Sequence, residues 1–117
     1  MRFQEFVEDK TFFSPALVAD ELRTTKSEIA TTLGLGRDAF GRASRVRARK
    51  SQSRLRQMLE ILHRVEPVTG STLAAYAWFR AEPLHGFGGA TPDQLLRDGK
   101  AYQVHAYLDR IMAGGYS

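Results

Sequence analysis

Apolar residues return along this chain at intervals of three and four, and the runs are punctuated by Ser, Thr, Pro and Gly where helices begin and end. Ser14-Pro15 predicts a helix start, with Leu17, Val18 and Leu22 as its apolar face. Thr25-x-x-Glu28 reads as a capping box for a second helix bearing Ile29, Ala30 and Leu33, stopped by Gly34. A third is predicted from Arg37, with Phe40 and Ala43 inward and Arg42, Ser44 and Arg45 outward. Ser51 or Ser53 caps a longer fourth, striped with Leu55, Met58, Leu59, Leu62 and Val65 and ended by Glu66-Pro67. The fifth begins near residues 69 to 72 and holds Leu73, Ala74, Ala77 and Trp78 before Pro83. Thr91-Pro92-Asp93 opens a short sixth through Leu95 and Leu96 to Asp98-Gly99. A last helix, from Ala101 to Ala113, puts Val104, Leu108 and Ile111 on one side and ends at Gly114-Gly115. No segment alternates as a strand does and none repeats, so the expected class is all-α.

Composition narrows this picture. At 117 residues the chain suits one domain or two small helical lobes sharing a surface. It has no cysteine, which excludes disulfides and thiolate metal sites. No run of about 18 apolar residues is present and the N-terminus, MRFQEFVEDK, lacks a signal pattern, so the expectation is a soluble cytoplasmic protein with no membrane partner.

The charge is unevenly placed. Residues 1 to 36 carry four Lys/Arg against six Asp/Glu, residues 37 to 56 eight against one, and residues 57 to 117 five against six. A block of such density needs a polyanion or an acidic surface to neutralise it, and nucleic acid is the first candidate. Ala30, Gly34 and Phe40 have the spacing of a helix-turn-helix: a small residue at the crossing, a turn residue tolerant of positive φ, and an apolar anchor. On this reading the third helix enters the major groove with Arg37, Arg42, Ser44 and Arg45, while Arg47, Arg49 and Lys50 grip phosphates. One reading helix per chain implies a dimer or larger assembly on paired operator half-sites.

The stretch GFGGATPDQLLRDG resembles a phosphate-binding loop in its glycines. Such loops need a strand before them, and the P-loop kind a Lys-Ser/Thr pair after them; a helix precedes this one and Thr91-Pro92 follows. The glycines are expected instead to turn the chain between helices and shape a binding surface. His63, His85 and His105 lack metal-ligand spacing and no nucleophile motif occurs, so neither an enzyme nor a cofactor or metal is expected.

The C-terminal residues carry a resemblance. Ala77-Trp78-Phe79, the Pro83 turn, Gly88-Gly89, Thr91-Pro92-x-x-Leu95-Leu96, Asp98-Gly99 and Val104-x-x-Tyr107-Leu108-x-x-Ile111-x-x-Gly114 follow one another as in the C-terminal toxin-binding domain of Xre/MbcA/ParS-like antitoxins. These pair with RES-domain toxins. The resemblance implies a type II antitoxin, with residues 1–66 as a DNA-binding helix-turn-helix region that represses its own operon and residues 67–117 binding a toxin that consumes NAD. It places Arg110, Met112, Gly114, Gly115, Tyr116 and Ser117 over the toxin's active-site entrance, and the chain's ending in GGYS fits such a plug. Trp78, His85, Phe87, Gly88 and Gly89 complete the expected toxin-binding set. The alternative is a stand-alone helix-turn-helix regulator whose C-terminal half dimerises or senses a ligand.

Overall fold

The computed structural model describes residues 3–7 and 12–114, and of residues 3, 4, 43 and 44 the backbone only. A 3-10 turn at Phe3–Phe6 is followed by α1 (Pro15–Glu21), α2 (Lys26–Thr32), α3 (Ala43–Val46), α4 (Arg49–Thr69), α5 (Thr72–Ala81), α6 (Pro92–Arg97) and α7 (Ala101–Gly114). Among the described residues the only strand-like pairing is a single antiparallel bridge between Val7 and Phe13, so the fold is all-α.

Helix α4 organises the rest. At 21 residues it is about 32 Å long, and its buried stripe of Leu55, Met58, Leu59, Leu62 and Val65 is the predicted one, joined by Ile61 and Ser51. It packs chiefly on α5, with α6, α7 and α3 closing around it. One continuous core runs from Phe6 through Leu33, Phe40, Leu62 and Phe79 to Leu108. The expected boundary between residues 66 and 67 falls inside α4.

The starts of α1, α2, α5 and α6 follow their cap chemistry. Ser14 Oγ accepts from the Leu17 amide at 3.2 Å, Thr25 Oγ1 from that of Glu28 at 3.1 Å, and Ser71 Oγ from that of Ala74 at 3.0 Å. The Glu28 carboxylate, expected to reach back to its cap, instead accepts from the Thr24 hydroxyl. At α6 the reach-back does form: the Thr91 amide donates to Gln94 Oε1 at 3.0 Å, behind Pro92 at the first helical position.

Five sequence expectations are corrected. The third helix shrinks to the single turn Ala43–Val46, because residues 36–41 close instead into turns, with Ala39 donating to the Gly36 carbonyl and Gly41 to that of Asp38. Helix α4 starts at Arg49 behind Ala48, not at a serine cap; Gln52 compensates, tying the Phe13 backbone and the Val46 carbonyl to the helix's first turns. Pro67 does not end α4, which continues to Thr69 and stops at Gly70, in the left-handed region at φ 96°. A proline this close to the end removes only one intrahelical bond, whose acceptor would be the carbonyl of exposed His63. The face of α5 is rotated: Ala75, Tyr76 and Phe79 are buried, Trp78 is half-buried, and Leu73 and Ala77 are exposed, since the two large rings Tyr76 and Phe79 take the inward positions. Leu17 and Ile111, expected inside, are 43% and 44% exposed.

A pair of arginines joins the two halves of the sequence. Arg54 of α4 donates to the Leu33 carbonyl at 2.8 Å, the Gly34 carbonyl at 3.2 Å and the Arg97 carbonyl at 3.3 Å. Arg97 of α6 reaches the Thr32 carbonyl at 3.2 Å. These bonds satisfy the carbonyls left open at the C-terminal end of α2, where positive charge is also favoured. Gly34 sits beneath them at φ 72°, and a Cβ there would lie 2.9 Å from Arg54 Nη1 and from Arg97 Cγ.

Candidate toxin-binding and nucleic-acid surfaces

The glycine loop is built by three backbone bonds. The Leu84 amide donates to the Ala90 carbonyl at 2.9 Å, that of Phe87 to Leu84 at 3.2 Å, and that of Ala90 to Phe87 at 3.1 Å. Buried Leu84 anchors one end, and at the other Asp93, itself buried, accepts from the Thr91 hydroxyl, from the Gln94 amide at 2.9 Å and from Arg97 at 3.2 Å. Gly88 at φ 65° and Gly89 at φ 89° supply successive left-handed residues, which lets a loop this short reverse. The opening is thereby held rigidly between α5 and α6.

Against this loop lies the last half of α7. His85, Gly86 and Phe87 from the loop, and Tyr107, Arg110 and Ile111 from the helix, line a hollow of about 340 Å³. The Phe87 and Tyr107 rings meet edge to face, with centroids 6.3 Å apart and planes at 77°. Exposed Ile111 and exposed Arg110 form its outer lip. Such an aromatic floor beside an aliphatic and a guanidinium group is the composition of protein-binding anchors.

Of the predicted toxin-binding residues, the structure therefore gathers His85, Phe87 and Arg110 in one place, with exposed Gly88 and Gly89 next along the loop. Trp78 is half-buried against the core on α5 and does not line the hollow. Met112 turns toward α4, where its Sδ lies 3.6 Å from Arg64 Nη2. Gly114 ends α7 in solvent, and Gly115, Tyr116 and Ser117 lie outside the described residues. Sequence reasoning missed Tyr107 and Ile111 as lining residues; their signal was the spacing 107, 110, 111, which puts all three on one helix face.

Behind the hollow, Arg64 fixes α7 to α4. It donates to His105 Nδ1 at 3.1 Å, to the His105 carbonyl at 3.3 Å and to Asp109 Oδ1 at 2.7 Å. Burial, and then the Arg64 charge, hold the His105 pKa below the ordinary histidine value. The neutral ring is the form that can accept from the guanidinium.

The basic residues fall into separate groups. Arg37, Arg42, Arg45, Arg47, Arg49 and Lys50 are all exposed. Arg42 and Arg47 share a hollow of about 200 Å³ with Lys26, beside the start of α1. Arg47 and Arg49 also line one of about 420 Å³ with Arg56, where Arg47 stacks over Phe12 at 5.0 Å and Arg56 over Phe13 at 5.5 Å. Arg37 stands apart, in a third hollow of about 580 Å³ with Arg80, Arg97, Ser27 and Thr31. The backbone of Ser44 lies in α3, and its side chain is outside the described residues. The element assigned to the major groove, residues 37–45, is thus not a helix that can present Arg37, Arg42 and Arg45 on one face.

The glycine loop, α6 and α7 lie within residues 64–114, a segment similar to a family of antitoxin toxin-binding domains. The family's description is antitoxin Xre/MbcA/ParS C-terminal toxin-binding domain, and the match covers residues 64–114 of the chain. Comparison with curated proteins and with solved structures returns no match. Among the described residues no helix is long and apolar enough to cross a membrane.

Proposed function

We propose that the chain is the antitoxin of a RES–Xre type II pair, working in the cytoplasm. It binds a RES-domain toxin that consumes NAD, and it blocks the toxin by laying its C-terminal tail over the active-site entrance. The hollow between the glycine loop and α7 carries this reading, because it lies within the segment that matches the antitoxin family and is lined by the last turns of α7. Phe87, Tyr107 and Ile111 offer apolar anchorage and Arg110 a charge for a toxin carboxylate, while Gly114 leads into Gly115, Tyr116 and Ser117. Residues 67–117 take the toxin, and residues 1–66 take operator DNA, so that the protein regulates its own operon. The exposed cations from Arg42 to Lys50 support the second task by neutralising phosphates. Assembly is as a homodimer or a larger complex with the toxin.

The test compares the tagged full-length chain with one ending at Asp109 as baits in its own host, identifying bound proteins by mass spectrometry. A stoichiometric RES-domain partner that disappears with the tail is expected. A partner held equally by both baits overturns the tail's role, and recovery of DNA alone favours the stand-alone regulator.

A further inference from the structure

We propose that the DNA-reading element is α2, and that α1, the link from Leu22 to Thr25 and α2 form the helix-turn-helix. The inference rests on the DNA-binding reading and places its specific contacts one helix earlier than the sequence spacing suggested.

The link is the first observation. Helix α1 ends at Glu21 and α2 begins at Lys26, leaving a turn of the length that joins two helices at a steep angle. Within it Arg23 has φ 53°, and it is the one non-glycine residue in the left-handed region among the described residues. The Thr24 amide donates back to the Ala19 carbonyl at 2.9 Å, locking the reversal. Thr25 then caps the second helix.

Packing is the second. Val18 and Ala19 of α1, Leu22 at its C-terminal end, Ile29 and Ala30 of α2 and Leu33 at its C-terminal end are all buried. The small residues Ala19 and Ala30 permit close crossing, and the larger ones fix α2 on α1 and on the core. What remains outside on α2 is Lys26, Ser27, Glu28 and Thr31, all exposed. Lysine donates to guanine, serine and threonine serve either base of a pair, and glutamate accepts from the cytosine amine.

The third observation is charge. Lys26 lines the hollow holding Arg42 and Arg47, whereas Ser27, Glu28 and Thr31 line the one holding Arg37, Arg80 and Arg97. The polar face of α2 therefore runs between two arginine-rimmed hollows. A helix seated in a major groove has a phosphate backbone along each flank, and exposed Arg42 and Arg47 on one side of α2 and Arg37 and Arg80 on the other meet that requirement, Arg97 being paired with Asp93. By contrast α3 has four residues, about 6 Å of helix, and offers no face to read with.

The test uses the full chain and DNA duplexes tiled across the region upstream of its own coding sequence, with an unrelated duplex as reference. Two variants are compared after circular dichroism melting confirms that both fold: Ser27→Ala/Thr31→Ala on α2 and Arg45→Ala/Lys50→Ala in the basic block. The α2 variant should lose about ten-fold or more in affinity for the preferred upstream duplex while binding the unrelated duplex as wild type does. The basic-block variant should weaken on both duplexes alike, with the slope of log K against log salt reduced by about one for each phosphate no longer neutralised. If the wild type prefers an upstream duplex and the α2 variant keeps that preference in full, α2 is not the reading helix although DNA binding stands. If the wild type prefers no upstream duplex, operon regulation itself fails, and α2 with it.

Discussion

Two segments of this chain follow glycine-rich turns and are expected from sequence to be helical, yet only one becomes a helix of more than a single turn. After Gly88-Gly89 the chain enters α6 at Pro92, held by Thr91, Asp93 and Gln94 and fastened by buried Leu95 and Leu96. After Gly34-Leu35-Gly36 it turns twice and forms only α3. The difference lies in anchorage. Among the described side chains between residues 37 and 49 only Phe40 and Val46 are buried hydrophobics, and five arginines at 37, 42, 45, 47 and 49 stand close in sequence without an acid beyond Asp38. Mutually repelling charges with two apolar anchors and no cap do not offset the entropy of ordering a helix. The cations at 37, 42, 45, 47, 49 and 50 are thereby left exposed on turns, on the single turn of α3 and at the start of α4.

The contrast can be broken at its common base. Leu62→Ala, beneath α4, should cost about 2–5 kcal/mol and unfold both segments together, as chemical denaturation followed at Trp78 would report. A separate transition for each half would contradict the single continuous core.

Gly34→Ala probes the joint between the halves. Left-handed backbone and a Cβ crowded by Arg54 and Arg97 predict a loss of about 1–3 kcal/mol. Gly88→Ala, left-handed but with open space around its Cβ, should cost only about 1 kcal/mol in the same urea melts. Equal losses at the two positions would remove the arginine clamp from the account.

Asp93→Ala sharpens the α6 side of the comparison. It strips Arg97, the Gln94 amide and the Thr91 hydroxyl of a shared acceptor, and a loss of about 1–3 kcal/mol is expected. Thermal melting should show it, whereas Asp38→Ala in the other segment should be nearly silent.

The smallest effect concerns pH. His105 has its folded pKa below the ordinary value of about 6.5, so as pH falls through that value the unfolded chain takes up the proton first and the fold loses stability. Above it both states are neutral and His105 contributes no slope. The loss should grow until the pH passes below the folded pKa and then level off. His105→Gln should flatten the decline in melting temperature below about pH 6.5, and an unchanged decline would exclude His105 as its source.

How much could be read from sequence follows the same division. Wherever a cap residue and buried apolar residues agreed, as at Ser14, Thr25 and Thr91, with a proline at the first helical position after Ser14 and Thr91, the element stood where it was expected. Faces set by packing were harder to read. On α5, Tyr76 and Phe79 displaced Leu73 and Ala77 from the core, and on α7 the stripe 101, 104, 108 drifts to Met112, releasing Ile111 to the hollow. The hollow itself depends on that release and on Tyr107 meeting a loop some twenty residues earlier, which no local pattern encodes. The helix-turn-helix spacing at Ala30, Gly34 and Phe40 was met by a buried alanine, a left-handed glycine and a buried phenylalanine, but Gly34 and Phe40 lie in the turns after α2 and seat no long third helix.

The most direct test of the proposed division between a toxin-binding C-terminal half and a DNA-binding N-terminal half is whether the purified chain inhibits the NAD consumption proposed for the partner it captures. Arg110→Ala/Ile111→Asp, both exposed at the lip of the hollow, should raise the inhibitory concentration about 30-fold or more, the scale of losing an interface anchor worth about 2 kcal/mol. Arg47→Ala/Arg49→Ala/Lys50→Ala should inhibit as wild type does. Undiminished inhibition by the first variant, or its loss in the second, would contradict the account.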